Sequence, residues 1–207
     1  HQRRPQETAT LKRCTPALRI GSPLVASLLI ASLLSACASV PPGSMPARDQ
    51  VADFALEARF ALRVSLPEQA AQSSGGRLSW THKNGDNRIL LSSPLGYGLA
   101  EIETSAGRSL LRTADGKTLE SADPDALMEE VTGQRLPISR LPAWLLGRAS
   151  NAAQIDKDEQ QRPTQLREAG WQIDYAYDDD AAAALPARLT LSRDQEIELR
   201  LRIEEWK

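Results

Sequence analysis

Ile197-Glu198-Leu199-Arg200-Leu201-Arg202-Ile203-Glu204 alternates without a break between apolar and charged side chains. Successive side chains of a β-strand point to opposite faces, so this stretch has one apolar face and one fully charged face. Such a strand belongs to an antiparallel sheet that lays one face on a core and leaves the other in water. Asp194-Gln195 just before it reads as a turn, and Arg188-Leu189-Thr190-Leu191 as the partner strand. The end of the chain is thus a hairpin, and the same two-residue rhythm can be sought elsewhere.

Working outward, Trp171, Ile173, Tyr175 and Tyr177 alternate with Gln172, Asp174 and Ala176, after Gln165-Leu166-Arg167 and a turn at Ala169-Gly170. Asp178-Asp179-Asp180 and the following alanines form a loop. Nearer the start, Phe60, Leu62, Val64 and Leu66 alternate with Ala61, Arg63 and Ser65, and Leu78, Trp80 and His82 with Arg77, Ser79 and Thr81. Asn84-Gly85-Asp86 is a strong hairpin turn into a return strand over residues 88–92. Strands over 98–104, 109–113 and 117–120 follow, divided by Ser105-Ala106-Gly107 and Asp115-Gly116. Short strands at roughly ten-residue intervals indicate an antiparallel meander.

Helical spacing appears in three places. Val51, Phe54, Ala55 and Ala58 predict a short helix before the first strand. Asp123-Pro124-Asp125 supplies a cap, a proline for the first helical position and a first-turn acid. Leu127, Met128 and Val131 give that helix an apolar stripe, and Gly133 ends it. A third segment, after Leu136-Pro137-Ile138, takes Ser139 as cap and carries Leu141, Trp144, Leu145 and Leu146 before Gly147. The order strands, helices, strands fits a mainly β fold: one curved antiparallel sheet, apolar on its inner face, with the helices laid across its opening. A closed barrel, or a flat sheet packed on helices around a solid core, needs the same alternation.

The first 36 residues have a different character. Arg3, Arg4, Lys12, Arg13 and Arg19 precede an apolar run over residues 24–34 that is interrupted only by Ser27 and Ser32. A basic region, a short apolar region and small residues before a cut site make a secretory signal peptide. The run is about 11 residues, short of the ~20 that span a bilayer. Leu34-Ser35-Ala36-Cys37 resembles a bacterial lipobox, which makes Cys37 the first residue of the mature chain and its site of lipid attachment. The expected groups are an N-acyl chain and an S-diacylglycerol on Cys37. Each buried methylene contributes ~0.8 kcal/mol, so one chain holds marginally and several hold firmly. An ordinary signal peptide or an uncleaved anchor would carry that cysteine by accident. Residues 37–50, rich in Pro, Gly and Ser, read as a linker that extends at most about 45 Å at ~3.3 Å per residue. Residues 51–207 form the single folded domain.

Loss of residues 1–36 from the 207 leaves 171 residues, with 20 basic against 26 acidic side chains, a net of −6. With no basic cluster past Cys37, nucleic acid is not an expected partner. Cys14 leaves with the leader, so no disulfide is expected. His82 is the one imidazole that remains, which removes His/Cys zinc sites and leaves a serine-histidine triad without a Gly-x-Ser-x-Gly elbow. Next to a turn, His82 is expected to be exposed. A paired-carboxylate hydrolase is harder to exclude, since acids are plentiful, but no pair stands out, and no catalytic or metal-ligating residue is singled out.

The lipobox, Ala58-Arg59-Phe60-Ala61, Gly76-Arg77-Leu78-Ser79-Trp80, Leu91-Ser92-Ser93-Pro94-Leu95-Gly96, Leu141-Pro142-Ala143-Trp144-Leu145-Leu146-Gly147, Gly170-Trp171 and Leu201-Arg202-Ile203-Glu204-Glu205-Trp206 together resemble the LolB family. The ordered set covers essentially the whole mature chain. The resemblance implies an outer-membrane lipoprotein receptor that faces the periplasm, a monomer without cofactor or catalysis. Its partners would be a LolA-like periplasmic lipoprotein carrier, triacylated lipoprotein cargo and outer-membrane lipid. Ala38, where an aspartate would mark inner-membrane retention in enteric bacteria, permits outer-membrane sorting. The resemblance also implies an unclosed antiparallel β-barrel with a helical lid that encloses an acyl-chain cavity. Phe60, Leu62, Leu78, Trp80, Leu189, Leu191, Leu199 and Leu201 are expected to line or floor it, and Leu141, Trp144 and Leu145 to cap it. The loop Pro94-Leu95-Gly96 maps onto the family's membrane-insertion loop, with Leu95 as the functional leucine and Tyr97 a departure from the usual pattern. From local sequence alone Leu95 could equally tuck under Tyr97 or the helices. A lipoprotein that scaffolds envelope assembly through its surface would share the anchor, linker and sheet, but would need a solid core.

Overall fold

The structure is a computed structural model that describes residues 48–207. After a 3-10 turn at Arg48–Gln50 come β1 (Phe54–Val64), β2 (Gln72–Lys83), β3 (Asp86–Ser92), β4 (Gly98–Ser105), β5 (Arg108–Thr113) and β6 (Thr118–Ser121). Two helices follow, α1 (Pro124–Thr132) and α2 (Leu141–Leu145). The chain then returns as β7 (Gln154–Lys157), β8 (Pro163–Glu168), β9 (Trp171–Ala176), β10 (Arg188–Arg193) and β11 (Ile197–Trp206). All eleven strands form one sheet in the order β6-β5-β4-β3-β2-β1-β11-β10-β9-β8-β7. Two meanders are therefore joined by the antiparallel β1–β11 pair, and β6 and β7 are left as edges, so the sheet curls without closing.

Register carries the apolar alternation across strands. Leu62, Leu199, Leu191, Ile173 and Leu166 stand opposite one another in one row. Leu56, Trp80, Ile89, Ile102, Leu111 and Leu119 make another. A one-residue slip would turn every one of these side chains into water, which pins the pairing. Bulges at Glu57/Ala58 and Leu91/Ser92 increase the local bend. At Gly76, opposite Phe60, a Cβ would collide with the carbonyl oxygen of Ser92, so glycine lets β2 and the end of β3 approach closely.

Helix α1 starts as its sequence indicates. The Asp123 carboxylate accepts from the Asp125 amide at 2.9 Å, Pro124 follows, and Gly133 stops the helix with a positive φ of 69°. Leu127 and Met128 are buried, but Val131 is 41% exposed. The apolar stripe is thus two residues wide at its buried part, because α1 lies over β5 and the edge strand β6 rather than over the centre. Helix α2 starts one residue later than expected. Arg140 occupies the cap position, while Ser139 spends both its amide and its hydroxyl on the Asp125 carboxylate.

The expected helix over residues 51–58 is a strand instead. Phe54, Leu56 and Ala58 are buried in alternation and continue the face of Phe60 and Leu62. Pairing with both β2 and β11 outweighs the helical spacing of a few apolar residues. The fold's contacts also begin before residue 51: the Arg48 carbonyl accepts from Arg148 Nη2 at 2.6 Å. The signal-peptide and Cys37 assignments, and nearly all of the linker, lie outside the described residues.

Candidate functional site

The inner face of the sheet divides into a filled part and a hollow part. The filled part lies under α2. Trp144, Leu145, Leu166, Ile173, Leu189 and Leu191 are each at most 1% exposed there. Helix α2 has only five residues and is held by polar clamps instead of length. Glu168 Oε2 accepts from Trp144 Nε1 at 2.6 Å, and Oε1 accepts from Arg140 Nη1 at 2.9 Å and the Ser150 amide at 3.2 Å. The Tyr175 hydroxyl donates to the Trp144 carbonyl at 2.8 Å.

Burial alone would raise the pKa of Glu168. The hydrogen bonds from Ser150 and Trp144 and the charge of Arg140 outweigh it and hold the carboxyl below its ordinary range. A depressed folded-state pKa gives stability that is full above the unfolded value of about 4.3 and is lost as pH falls through the folded value. The clamp on α2 should therefore be intact near neutrality and fail in acid. Glu168→Gln is expected to loosen α2 already at neutral pH and to cost about 1–3 kcal/mol. Near-ultraviolet circular dichroism from Trp144, followed with urea denaturation, would detect it; an unchanged signal and midpoint would rule out the clamp.

The hollow part lies between β1–β4, β11 and the chain on either side of Pro137. A cavity of about 100 Å³ is lined there by Phe60, Leu62, Leu78, Trp80, Ile89, Leu91, Ile102, Leu199 and Leu201, and roofed by Leu136, Ile138 and Leu141. Every lining side chain is apolar. Phe60, Leu62, Leu91 and Leu199 are only partly buried, so the cavity lies close to solvent along the β1/β11 side. An apolar space of this kind stays free of ordered water and favours hydrocarbon.

Seven of the eleven residues expected at an acyl-chain chamber come together here: Phe60, Leu62, Leu78, Trp80, Leu141, Leu199 and Leu201. Leu189, Leu191, Trp144 and Leu145 do not reach it; they fill the neighbouring core under α2. Ile89, Leu91, Ile102, Leu136 and Ile138 line it without having been singled out. For the strand residues the signal was present, since each alternates in register with Leu78 or Trp80.

The back wall is fixed by a polar network. Trp80 Nε1 donates to Asn87 Oδ1 at 3.0 Å, and Asn87 Nδ2 donates to Thr104 Oγ1 at 2.9 Å. Indole can only donate, so Asn87 must turn its oxygen to Trp80, and His82, 2.8 Å away through Nδ1, must carry its proton on that nitrogen. His82 is not the exposed side chain its turn position suggested. It is half-buried and stacks on Phe54 with centroids 5.1 Å apart, because β1 runs alongside it.

Beside the cavity, β3 and β4 are joined by Ser93-Pro94-Leu95-Gly96-Tyr97. The Gly96 amide donates to the Ser93 carbonyl at 2.9 Å, the Ser93 amide to the Tyr97 carbonyl at 2.7 Å and the Tyr97 amide to Ser93 Oγ at 3.1 Å. Pro94 fixes its own φ, and Gly96 supplies the φ of +92° that closes the loop. Leu95 stands 85% exposed and Tyr97 72%. Leu95 does not tuck under Tyr97 or the helices. Leu90 and Leu99, 41% and 43% exposed, continue the apolar surface down the outer face of the same hairpin.

The family described as outer membrane lipoprotein LolB matches residues 52–206 of the chain. The outer-membrane lipoprotein LolB of Dechloromonas aromatica (strain RCB) is 67% identical over 180 residues, covering 87% of this chain and 95% of its own length. The protein of the same name from Bordetella petrii is 33% identical over 185 residues, covering 88% of this chain and 89% of its own. Among solved structures, a LolA superfamily protein from Nitrosomonas europaea is similar at a TM-score of 0.43 and 11% identity, over 78% of this chain and 89% of that one.

Proposed function

This chain belongs to the LolB family of outer-membrane lipoproteins, and from that premise we propose that it takes triacylated lipoproteins from a LolA-like periplasmic carrier and delivers them into the outer membrane. One observation carries the reading: an all-apolar cavity, roofed by a separable piece of chain, lies beside a rigid hairpin that presents a bare leucine. Cys37 is the lipid attachment site, and no cofactor takes part.

At about 100 Å³ the cavity is smaller than the ~150 Å³ that accommodates a single benzene, so an acyl chain enters only as the roof lifts. The roof is built to move as one piece. Ser139 is tied to Asp125 of α1, and Arg135 to Asp123 and Glu129, so α1 and residues 133–139 are bonded to each other. Helix α2 stays behind, clamped to Glu168 and Tyr175. Lifting this piece carries Leu136 and Ile138 away and uncovers Leu141 and the sheet face. Exposed hydrocarbon costs about 25 cal/mol per Å², so cargo chains that replace the roof compensate for its displacement. Transfer needs no nucleotide if affinity rises from carrier to receptor to bilayer.

The fold also relates anchor to hairpin. β1 enters at Phe54, beside His82 and the Asn84-Gly85 turn, whereas Leu95 lies at the opposite end of β3. The seven residues of β3 span about 24 Å. With Arg48 already bonded to the domain, residues 37–47 still reach about 36 Å at ~3.3 Å per residue, which exceeds that, so an anchored chain can turn Leu95 to the membrane. Cys37→Ala is expected to leave the domain folded and able to accept cargo but detached from the membrane; retention in the membrane fraction after a salt wash would contradict Cys37 as the anchor.

The test of the whole reading is transfer itself. Cargo-loaded carrier is mixed with this chain, and cargo is expected to move onto the chain and then into added vesicles. Cargo that stays on a carrier able to release it to detergent would favour a scaffolding role instead.

A further inference from the structure

On the outer face of the sheet, four arginines stand directly opposite one another on four adjacent strands. Arg77 of β2 pairs with Arg59 of β1, Arg59 with Arg202 of β11, and Arg202 with Arg188 of β10. With strands about 4.8 Å apart, the row is about 14 Å long. Like charges directly opposed across strands work against a sheet's stability. Two of the four are matched: Arg59 with Glu204 at 2.6 Å and Arg188 with Asp178 at 2.9 Å. Among the described residues, Arg77 and Arg202 have no ion pair within reach, although both are exposed. The nearby acids are engaged elsewhere, Glu57 with Ser79 and Lys207, and Glu198 with Arg200.

The row's position points to its counter-charge. Arg77 is opposite Ser92, the last residue of β3 before the Leu95 hairpin. Arg77 also shares a surface groove with the exposed Leu90 and Leu99. Leu95 is the third residue beyond Ser92 and sits in the turn closed by the Gly96 amide on the Ser93 carbonyl, so it projects past the arginine row by somewhat less than the ~10 Å that three extended residues would span. The headgroup layer on one side of a bilayer is about 5–8 Å thick. With Leu95 just inside the hydrocarbon, the arginines therefore stand at the level of the lipid phosphates, and guanidinium pairs with phosphate through two parallel hydrogen bonds.

We infer that this arginine row is a second membrane contact, which binds anionic phospholipid headgroups and holds the Leu95 hairpin in its inserting orientation. The surface is needed because the mature chain carries a net charge of −6, which an anionic membrane repels. Without a local basic patch the tethered domain would stand away from the lipid it must reach. Each basic residue near an anionic leaflet strengthens attraction about fivefold, so the two unmatched arginines together contribute about 25-fold, and added salt screens them.

The test uses the lipidated chain that begins at Cys37, reconstituted into vesicles, with a polarity-sensitive fluorophore on Tyr97→Cys, the one free thiol once Cys37 is acylated. In phosphatidylcholine vesicles that also contain phosphatidylglycerol, the label should report a more apolar setting than in phosphatidylcholine alone, and high salt should reverse the difference. Arg77→Gln with Arg202→Gln should abolish the lipid dependence, while Arg77→Lys with Arg202→Lys should retain most of it. The glutamine pair removes repulsion within the sheet, so its thermal unfolding should occur no lower than that of the parent. A label that responds equally in both vesicles, or a glutamine pair that keeps the full response, overturns the inference. A glutamine pair that keeps the response but no longer takes cargo from the carrier would assign the row to an acidic protein partner, and would also overturn it. Loss of the lipid response with normal cargo uptake leaves the receptor reading intact, so the two can fail separately.

Discussion

Leu95→Glu is expected to fold as the parent does, to accept lipoprotein from the carrier, and to insert that lipoprotein into vesicles about tenfold more slowly or worse. Folding should survive because Leu95 is 85% exposed and the loop's bonds run through Ser93, Gly96 and Tyr97. Acceptance should survive because the cavity is lined by other residues, with Leu95 outside it. Insertion should suffer because a buried leucine contributes about 1.5–3 kcal/mol, a factor of ten or more, and a carboxylate reverses the sign. Carrier-to-receptor transfer and receptor-to-vesicle transfer, measured separately, decide it. A variant that unfolds would mean that the loop packs on the domain; one that inserts cargo at the parental rate would remove Leu95 from the delivery step.

Truncations should sort the inner face into two classes. Trp144→Ala and Leu189→Ala are expected to cost about 2–5 kcal/mol each, since both side chains are fully packed and leave cavities. Leu62→Ala and Leu199→Ala face a space that already exists and are partly exposed, so about 1 kcal/mol or less is expected. The order should reverse for binding. The two cavity variants should weaken the affinity for an apolar fluorophore about tenfold, whereas the core variants, where they fold, should change it little. Urea unfolding and fluorophore titration on the same four proteins are the measurements. Equal stability losses at all four positions would mean a solid core throughout, and with it the failure of the receptor reading.

The split between hollow and filled is also where sequence reading reaches its limit. Leu62, Leu199, Leu191 and Ile173 belong to a single row and carry the same alternation. What separates them is how they are covered: Leu191 and Ile173 are at most 1% exposed in the filled core, whereas Leu62 and Leu199 are partly buried and border the cavity. No pattern within a strand encodes that. The antiparallel sheet with one apolar face was legible, because a one-sided alternation such as that of residues 197–204 has few other solutions; that it stays unclosed was implied by the family resemblance alone. Also legible were the Asn84-Gly85 turn and the start of α1, where local chemistry decides. Residues 54–58 misled because Phe54 and Ala58 satisfy a four-residue spacing as well as a two-residue one, and only pairing on both sides settles it. Strand β7 was invisible because Ile155 is its one apolar residue; its pairing with β8 makes it a strand. The arginine row was hidden for a similar reason. Arg59, Arg77, Arg188 and Arg202 are scattered through the chain, and register alone brings them together.

The most direct test of the cavity's role is photo-crosslinking from inside it. A photoreactive side chain replaces Phe60 or Leu199 in the cavity, or Leu166 or Leu189 in the packed core, and cargo with labelled acyl chains is supplied on its carrier. Crosslinks to the acyl chains are expected from Phe60 and Leu199 and not from Leu166 or Leu189. Efficient transfer with no acyl crosslink at Phe60 or Leu199 would contradict the claim that cargo chains pass through this space.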